Sequence, residues 1–278
     1  MDISEQEFIE IISVIQDHSS YDFSDYSDKS LHRRFSKILL DYRIPASELI
    51  KRLKTQPQFL ETVVKKITVN TTDMFRDPAV WIDLRNNFLP AISGKDAINI
   101  WHAGCSSGQE VYSMIILLYE MGILEKTHLW ATDLNTDVLE TARAGIYKYR
   151  FNLGYLNNFE KVICSSGDNT LCGEELWNKY LEIDTVNDRI KVRPFLLEKV
   201  VFAKHDLVRD SNFSGIRFDL IVCRNVIIYF NYHLQNKIFD LFYKNLMDKG
   251  ILLLGIHESI HGAFLAKFEK RGYYYQRR

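Results

Sequence analysis

Between residues 5 and 70 apolar side chains recur three and four positions apart. Phe8, Ile11, Ile12 and Ile15 form one such set, and Ser4 with Glu7 has the spacing of a capping box, so a helix is predicted to begin there. Leu31, Phe35, Ile38, Leu39 and Tyr42 form a second stripe, interleaved with Arg33, Arg34, Lys37 and Arg43. Ser47–Leu53 and Gln58–Ile67 predict two further short helices, each near a proline, Pro45 or Pro57, suited to a first turn. No strand pattern occurs in this stretch.

The pattern changes after residue 95. Strands are predicted at 97–103, 129–132, 200–204, 218–223 and 251–256, and a helix from Gln109 to Met121. Apolar strands alternating with helices predict a doubly wound α/β fold around a parallel sheet covered on both faces. A polar stretch at about 151–198 interrupts the alternation. Ser165–Asn169 reads there as a loop and Arg189–Val192 as a short strand, and the stretch is expected to be an inserted subdomain. The expected organisation is a helical domain over 1–70 and an α/β domain over 71–278.

Composition narrows the function. The chain has 278 residues, 46% hydrophobic and 26% charged, as in an ordinary globular protein. Lys+Arg is 35 and Asp+Glu 36, a net charge of -1, so a nucleic-acid backbone is not an expected partner. No apolar run approaches the ~18 residues of a membrane span, and the first residues have no secretory pattern, so a cytoplasmic location without membrane insertion is expected. Cys105, Cys164, Cys172 and Cys223 form no CxxC pair and read as reduced thiols.

Candidate chemistry gathers at predicted strand ends. Gly104 and Gly108 bracket the turn after the first strand, where a ligand can approach the backbone near a helix N-terminus. The second strand ends in Asp133, at the position where a carboxylate faces ribose hydroxyls in a doubly wound sheet. The spacing is not GxGxxG and no Walker lysine follows, so a dinucleotide or nucleoside triphosphate is disfavoured. On spacing alone an ordinary strand–turn–helix junction fits equally well. His257-Glu258-Ser259-Ile260-His261 matches HExxH, a zinc pattern that works only on a helix. Here it follows a predicted strand, so no metal is expected.

Four stretches carry a resemblance: Asn70-Thr71-Thr72-Asp73-Met74-Phe75-Arg76, Ala103 to Ser113, Ala131 to Asn135, and Cys223-Arg224-Asn225-Val226-Ile227-Ile228-Tyr229-Phe230. In this order and spacing the chain, over roughly residues 5–277, resembles the CheR family of chemotaxis-receptor glutamate methyltransferases. The resemblance implies a class I methyltransferase (Rossmann-like) fold with a helical N-terminal domain and an inserted small β subdomain. It also implies S-adenosyl-L-methionine as cofactor and the cytoplasmic helices of chemoreceptors as protein substrate.

Residue by residue, it implies that Asn70, Thr72 and Arg76 line the methionine end of the cofactor and that Glu110 meets its amino group. Asp133 would hold the ribose, and Asp206 and Leu207 the adenine, although the family often has Asn where Asp206 stands. Cys223 and Arg224 would contribute largely through backbone beside Asn225, and Arg76 and Tyr229 would serve the transfer itself. Arg33, Arg34, Lys37 and Arg43 would face the acidic substrate. His257 and Glu258 look like a variant of the family's Gly-His-Ser-Glu turn. Met74, Gln109 and Val111 depart from the usual pattern without removing any of these contacts. Two alternatives remain open: a methyltransferase of this fold acting on another protein or a small carboxylate, and a non-catalytic cofactor-binding signalling module. Intact Arg76 and Tyr229 favour an enzyme.

Overall fold

The computed structural model describes residues 3–68, 71–164, 173–210 and 215–278. The chain divides into two compact units, Met1–Val69 with Val226–Ile238, and Asn70–Asn225 with Phe239–Arg278. The chain boundary expected at residue 70 therefore does not describe the first unit fully, because the segment after Asn225 folds with the N-terminal helices.

In the first unit, α1 (Glu5–His18), α2 (Asp28–Tyr42), α3 (Ala46–Thr55) and α4 (Pro57–Ile67) turn apolar faces inward. The capping box is formed: Ser4 Oγ accepts from the Glu7 amide at 3.3 Å and Glu7 Oε2 from the Ser4 amide at 3.0 Å. Phe8, Ile11, Val14 and Ile15 are buried on α1, and Leu31, Phe35, Ile38 and Leu39 on α2. Pro57 occupies the first turn of α4, whereas Pro45 stands one place earlier, at the N-cap of α3. Residues 226–231 are stitched to 25–27: the Ser27 amide donates to the Tyr229 carbonyl at 2.8 Å and the Asn231 amide to the Asp25 carbonyl at 2.9 Å.

The second unit opens with α5 (Pro78–Asp83) and α6 (Leu89–Ile92), joined by a π-helical turn over Leu84–Phe88. Then come β1 (Ile98–Ala103), α7 (Gln109–Glu120), β2 (Thr127–Asp133), α8 (Thr136–Ala144), β3 (Ile146–Tyr147), α9 (Tyr149–Ile163), α10 (Glu174–Tyr180), β4 (Leu181–Asp184), β5 (Arg189–Val192), α11 (Pro194–Leu197), β6 (Val200–Lys204) and β7 (Phe218–Cys223). After α12 (Tyr232–Asn245), whose start belongs to the first unit, follow β8 (Leu246–Leu254), β9 (Phe268–Arg271) and β10 (Tyr274–Arg277).

Among the described residues seven strands form one sheet in the order β6-β2-β1-β7-β8-β10-β9. The first five are parallel. β10 pairs antiparallel with both β8 and β9, so the sheet is mixed rather than wholly parallel. β1 and β7 lie almost wholly in the core, as near-continuous apolar strands covered on both faces do. β8 begins at Leu246, before the position predicted, and its pairing with β7 shifts register between Phe218 and Leu220.

The stretch read as a small β insertion is more helical than expected. It contains α9, α10 and α11, and its three-stranded sheet, β3-β5-β4, recruits β3 from before residue 151. The loop read at Ser165–Asn169 and Cys172 lie outside the described residues. The strand order reverses between β1 and its two neighbours, which places a switch point at the carboxyl ends of β2, β1 and β7.

Candidate active site

The first floor of the site is the turn after β1. The Gly104 and Cys105 amides both donate to the Thr132 carbonyl, at 2.8 and 2.9 Å, tying the turn to the end of β2. Gly104 and Gly108 have φ of 81° and 87°. A Cβ at Gly108 would also lie 2.9 Å from the Ala142 Cβ, so the residue is glycine on two counts. Ser106 takes a left-handed φ of 51° and presents its amide to Asp133 Oδ2 at 2.8 Å, while the Asn135 amide reaches Oδ1 at 2.9 Å. Burial pushes the Asp133 carboxyl above its ordinary value, and the amides of Asn135, Ser106 and Leu134 pull it part of the way back. Each oxygen keeps further acceptor capacity.

Beside it lies a charged cluster. Glu110, in the first turn of α7, is nearly buried. Its Oε2 accepts from Arg224 Nη1 at 2.8 Å, and its Oε1 is 3.5 Å from His102 Nδ1. Burial alone would raise the Glu110 carboxyl; Arg224 and His102 outweigh it and hold the group below its ordinary value. The Arg224 side chain is wholly buried and also reaches Asp77. The Arg224 guanidinium thus joins three chain segments, a side-chain role beside the backbone contribution expected of this residue.

The segment before α5 is pinned to α7. The Glu110 amide donates to Thr72 Oγ1 at 3.3 Å and the Phe75 amide to Ser113 Oγ at 2.8 Å. Arg76 is one-third exposed, its Nε 4.0 Å from Asp73 Oδ2. Its carbonyl accepts from the Trp81 indole at 2.9 Å. Tyr155 of α9 hydrogen-bonds to Asp73, which raises the tyrosine pKa. Asn70 lies outside the described residues.

At the end of β7, Asn225 adopts φ 60° and donates its amide to Glu258 Oε2 at 2.8 Å; the Gly255 amide meets the same oxygen at 2.7 Å. The HExxH glutamate is therefore a buried strut, and residues 257–261 are not helical. Asp206, past the end of β6, accepts the Val208 amide at 2.8 Å, and burial raises its carboxyl. Leu207 is buried beside it. Burial pushes the Cys105 and Cys223 thiols well up, which leaves both protonated and poor nucleophiles.

Tyr229 belongs to the first unit. With Ser27, Lys29, Ser30, Arg33 and Ile228 it lines a hollow of about 360 Å³. Lys37 is exposed one turn beyond Arg33, and Arg34 is half-buried. Arg43 is not on the helix: it caps α2 in a left-handed conformation, φ 54°, its amide bonded to the Leu39 and Leu40 carbonyls. The four basic residues thus do not form one stripe. Lys29, Arg33 and Lys37 do share a face, and Lys29 was missed although its spacing of four from Arg33 was readable.

The donor set suits a nucleoside carrying an amino acid: Asp133 offers acceptors for a ribose diol, Glu110 offers an anion for an ammonium, and no lysine stands in the glycine turn for a phosphate. Sheet order and site together define a class I methyltransferase that uses S-adenosylmethionine. The chain belongs to the CheR methyltransferase family: residues 70–158 and 168–274 match its SAM-binding domain and residues 6–68 its all-alpha domain. It is 35% identical over 261 residues to the Pseudomonas putida protein Cher3, covering 93% of this chain and 91% of that one. It is 29% identical over 279 residues to chemotaxis protein methyltransferase 1 of Vibrio cholerae, covering 96% and 94%. The Listeria monocytogenes chemotaxis protein methyltransferase is 27% identical over 259 residues, covering 92% and 91%.

Proposed function

We propose that the protein transfers the methyl group of S-adenosylmethionine to glutamate side-chain carboxylates on the cytoplasmic helices of chemoreceptors. The observation that carries the reading is one chain holding both an ionised Glu110 beside Asp133 at a sheet switch point and a separate basic helix face on α2. Relatives named as chemotaxis methyltransferases support the choice of substrate.

When bound, the cofactor supplies an electrophilic methyl on a sulfonium. A glutamate side chain, with an ordinary pKa of about 4.3, is already an anion at neutral pH, so no strong base is required of the protein. Positioning does most of the work. Asn70, Thr72 and Glu110 hold the amino-acid end of the cofactor, Asp133 the ribose, and Asp206 and Leu207 the base, with Gly104, Gly108 and the 223–225 backbone shaping the cavity. Arg76 orients the reacting carboxylate through charge-assisted hydrogen bonds. Tyr229 offers a hydroxyl for an acceptor oxygen, and Arg33 and Lys37 attract an acidic partner.

A second reading is the same transfer to a protein that is not a chemoreceptor. Incubating the protein with methyl-labelled cofactor and either a receptor cytoplasmic fragment or a lysate separates the two. The main reading expects label in the receptor fragment. Labelling of other proteins with none in the fragment selects the second.

A further inference from the structure

Asp77 stands where an N-cap residue would, immediately before α5, yet its side chain makes no capping bond to that helix. An aspartate at this position ordinarily accepts from the first free amides. Here the carboxylate turns away, and Oδ2 accepts from Arg224 Nη2 at 2.6 Å. The backbone carries the cost: Asp77 has φ 56° and Phe75, two residues before it, φ 48°. Left-handed non-glycine residues concentrated in so short a segment mark a conformation that something else enforces. That something is Arg224, whose Nη2 also takes the Arg76 carbonyl at 3.2 Å while Nη1 holds Glu110 at 2.8 Å. One buried guanidinium thus fixes both the segment carrying Arg76 and the carboxylate of Glu110.

Asp77 and Glu110 share one wholly buried guanidinium, so Arg224 is divided between two carboxylates rather than committed to Glu110, and the His102 ring stands 3.5 Å from the other Glu110 oxygen. Buried charge is costly unless a counter-charge completes it. Glu110 gives one oxygen to the shared Arg224 and turns the other toward His102, and it is only 13% exposed. An α-ammonium group has the charge and the donor count to complete its neutralisation.

We infer that Asp77 is a positioning residue for the amino-acid end of the cofactor: by drawing Arg224 partly away from Glu110 it leaves the Glu110 carboxylate less fully neutralised, and that residual negative charge favours ligands bearing an ammonium. The inference rests on the assignment of Glu110 to the cofactor's amino group.

Two probes separate it from a merely structural role. S-adenosylhomocysteine carries the amino acid; 5′-methylthioadenosine has the same nucleoside and sulfur without it. Calorimetric titration of both is made into the wild type, Asp77→Asn and Asp77→Glu. Asp77→Asn keeps an acceptor for Arg224 but removes the charge. It is expected to weaken S-adenosylhomocysteine roughly tenfold, as for one charge lost a short distance away in a partly buried site. Methylthioadenosine binding should stay unchanged and also reports that the site is folded. Asp77→Glu keeps the charge and should restore most of the discrimination between the two ligands. Equal weakening of both ligands by Asp77→Asn, or no weakening of either, overturns the inference. So does loss of discrimination in Asp77→Glu. A wild type that binds both ligands equally overturns the Glu110 assignment itself, whereas a discriminating wild type with an indifferent Asp77→Asn overturns only the role of Asp77.

Discussion

Asp133 shows how a single side chain is held in one orientation. Its two oxygens are aimed by one amide each, from Ser106 and Asn135, and Ser106 accepts a left-handed backbone to do so. Asp133→Asn removes an ionised acceptor and should weaken cofactor binding by about 1–3 kcal/mol in calorimetry. The sign of its pH dependence follows from the raised carboxyl. An aspartate above its ordinary value of about 3.9 takes up a proton sooner as pH falls. Wild-type affinity should therefore decline with acid earlier than an ordinary aspartate would dictate, and Asp133→Asn should lose that limb of the profile. An acid limb identical in the variant would assign it to another group. Arg76 has a different signature. If it orients the reacting carboxylate, Arg76→Ala should lower kcat by far more than it weakens cofactor binding; full turnover in steady-state assays would remove it from the transfer step.

α2 is where pattern and geometry agree and where they part. Its buried Leu31, Phe35, Ile38 and Leu39 follow directly from apolar spacing, because a helix that must hide one face writes that face into the sequence. Arg43 does not obey the pattern, since a residue past the last turn is placed by backbone closure rather than by period. The exposed Lys29, Arg33 and Lys37 then make a single charged face. Arg33→Glu with Lys37→Glu should slow methylation of an acidic receptor fragment and flatten its salt dependence, because exposed charges are screened beyond about 8 Å at physiological ionic strength. Cofactor affinity should not change. Equal rates for wild type and the double reversal at low salt would rule out docking through this face.

The strands tell the same story. β1, β2, β6 and β7 were legible because apolar runs end in residues a strand interior would reject: glycine, aspartate, histidine and arginine. β9 and β10 were not, because each has four residues, and β9 is largely exposed and charged. Their pairing comes from the tertiary edge that β8 offers.

At the scale of the whole molecule, the doubly wound sheet brings strand ends together that the sequence keeps far apart. Arg224 is 114 residues from Glu110 and 147 from Asp77, and no local pattern could have joined them. A strand-end arginine read alone is a turn residue; the parallel order β2-β1-β7 makes it the hub of a charged cluster. The switch point, by contrast, was readable from the glycines and Asp133, since the physics that places a ligand there acts through a few residues at fixed strand ends. The Glu258 strut was half legible: its place after a strand argued against zinc, but its bond to Asn225 appears only in three dimensions.

The central claim is methyl transfer to a glutamate carboxylate, and the bond formed is its most direct test. The protein is incubated with methyl-labelled S-adenosylmethionine and a receptor cytoplasmic fragment, and the label is located by peptide mass spectrometry and by its lability to base. The account predicts a base-labile methyl ester on glutamate side chains, absent without cofactor and strongly reduced with Arg76→Ala. Label on a nitrogen or sulfur of the substrate, or no transfer to any carboxylate by a wild type that binds the cofactor, would contradict it.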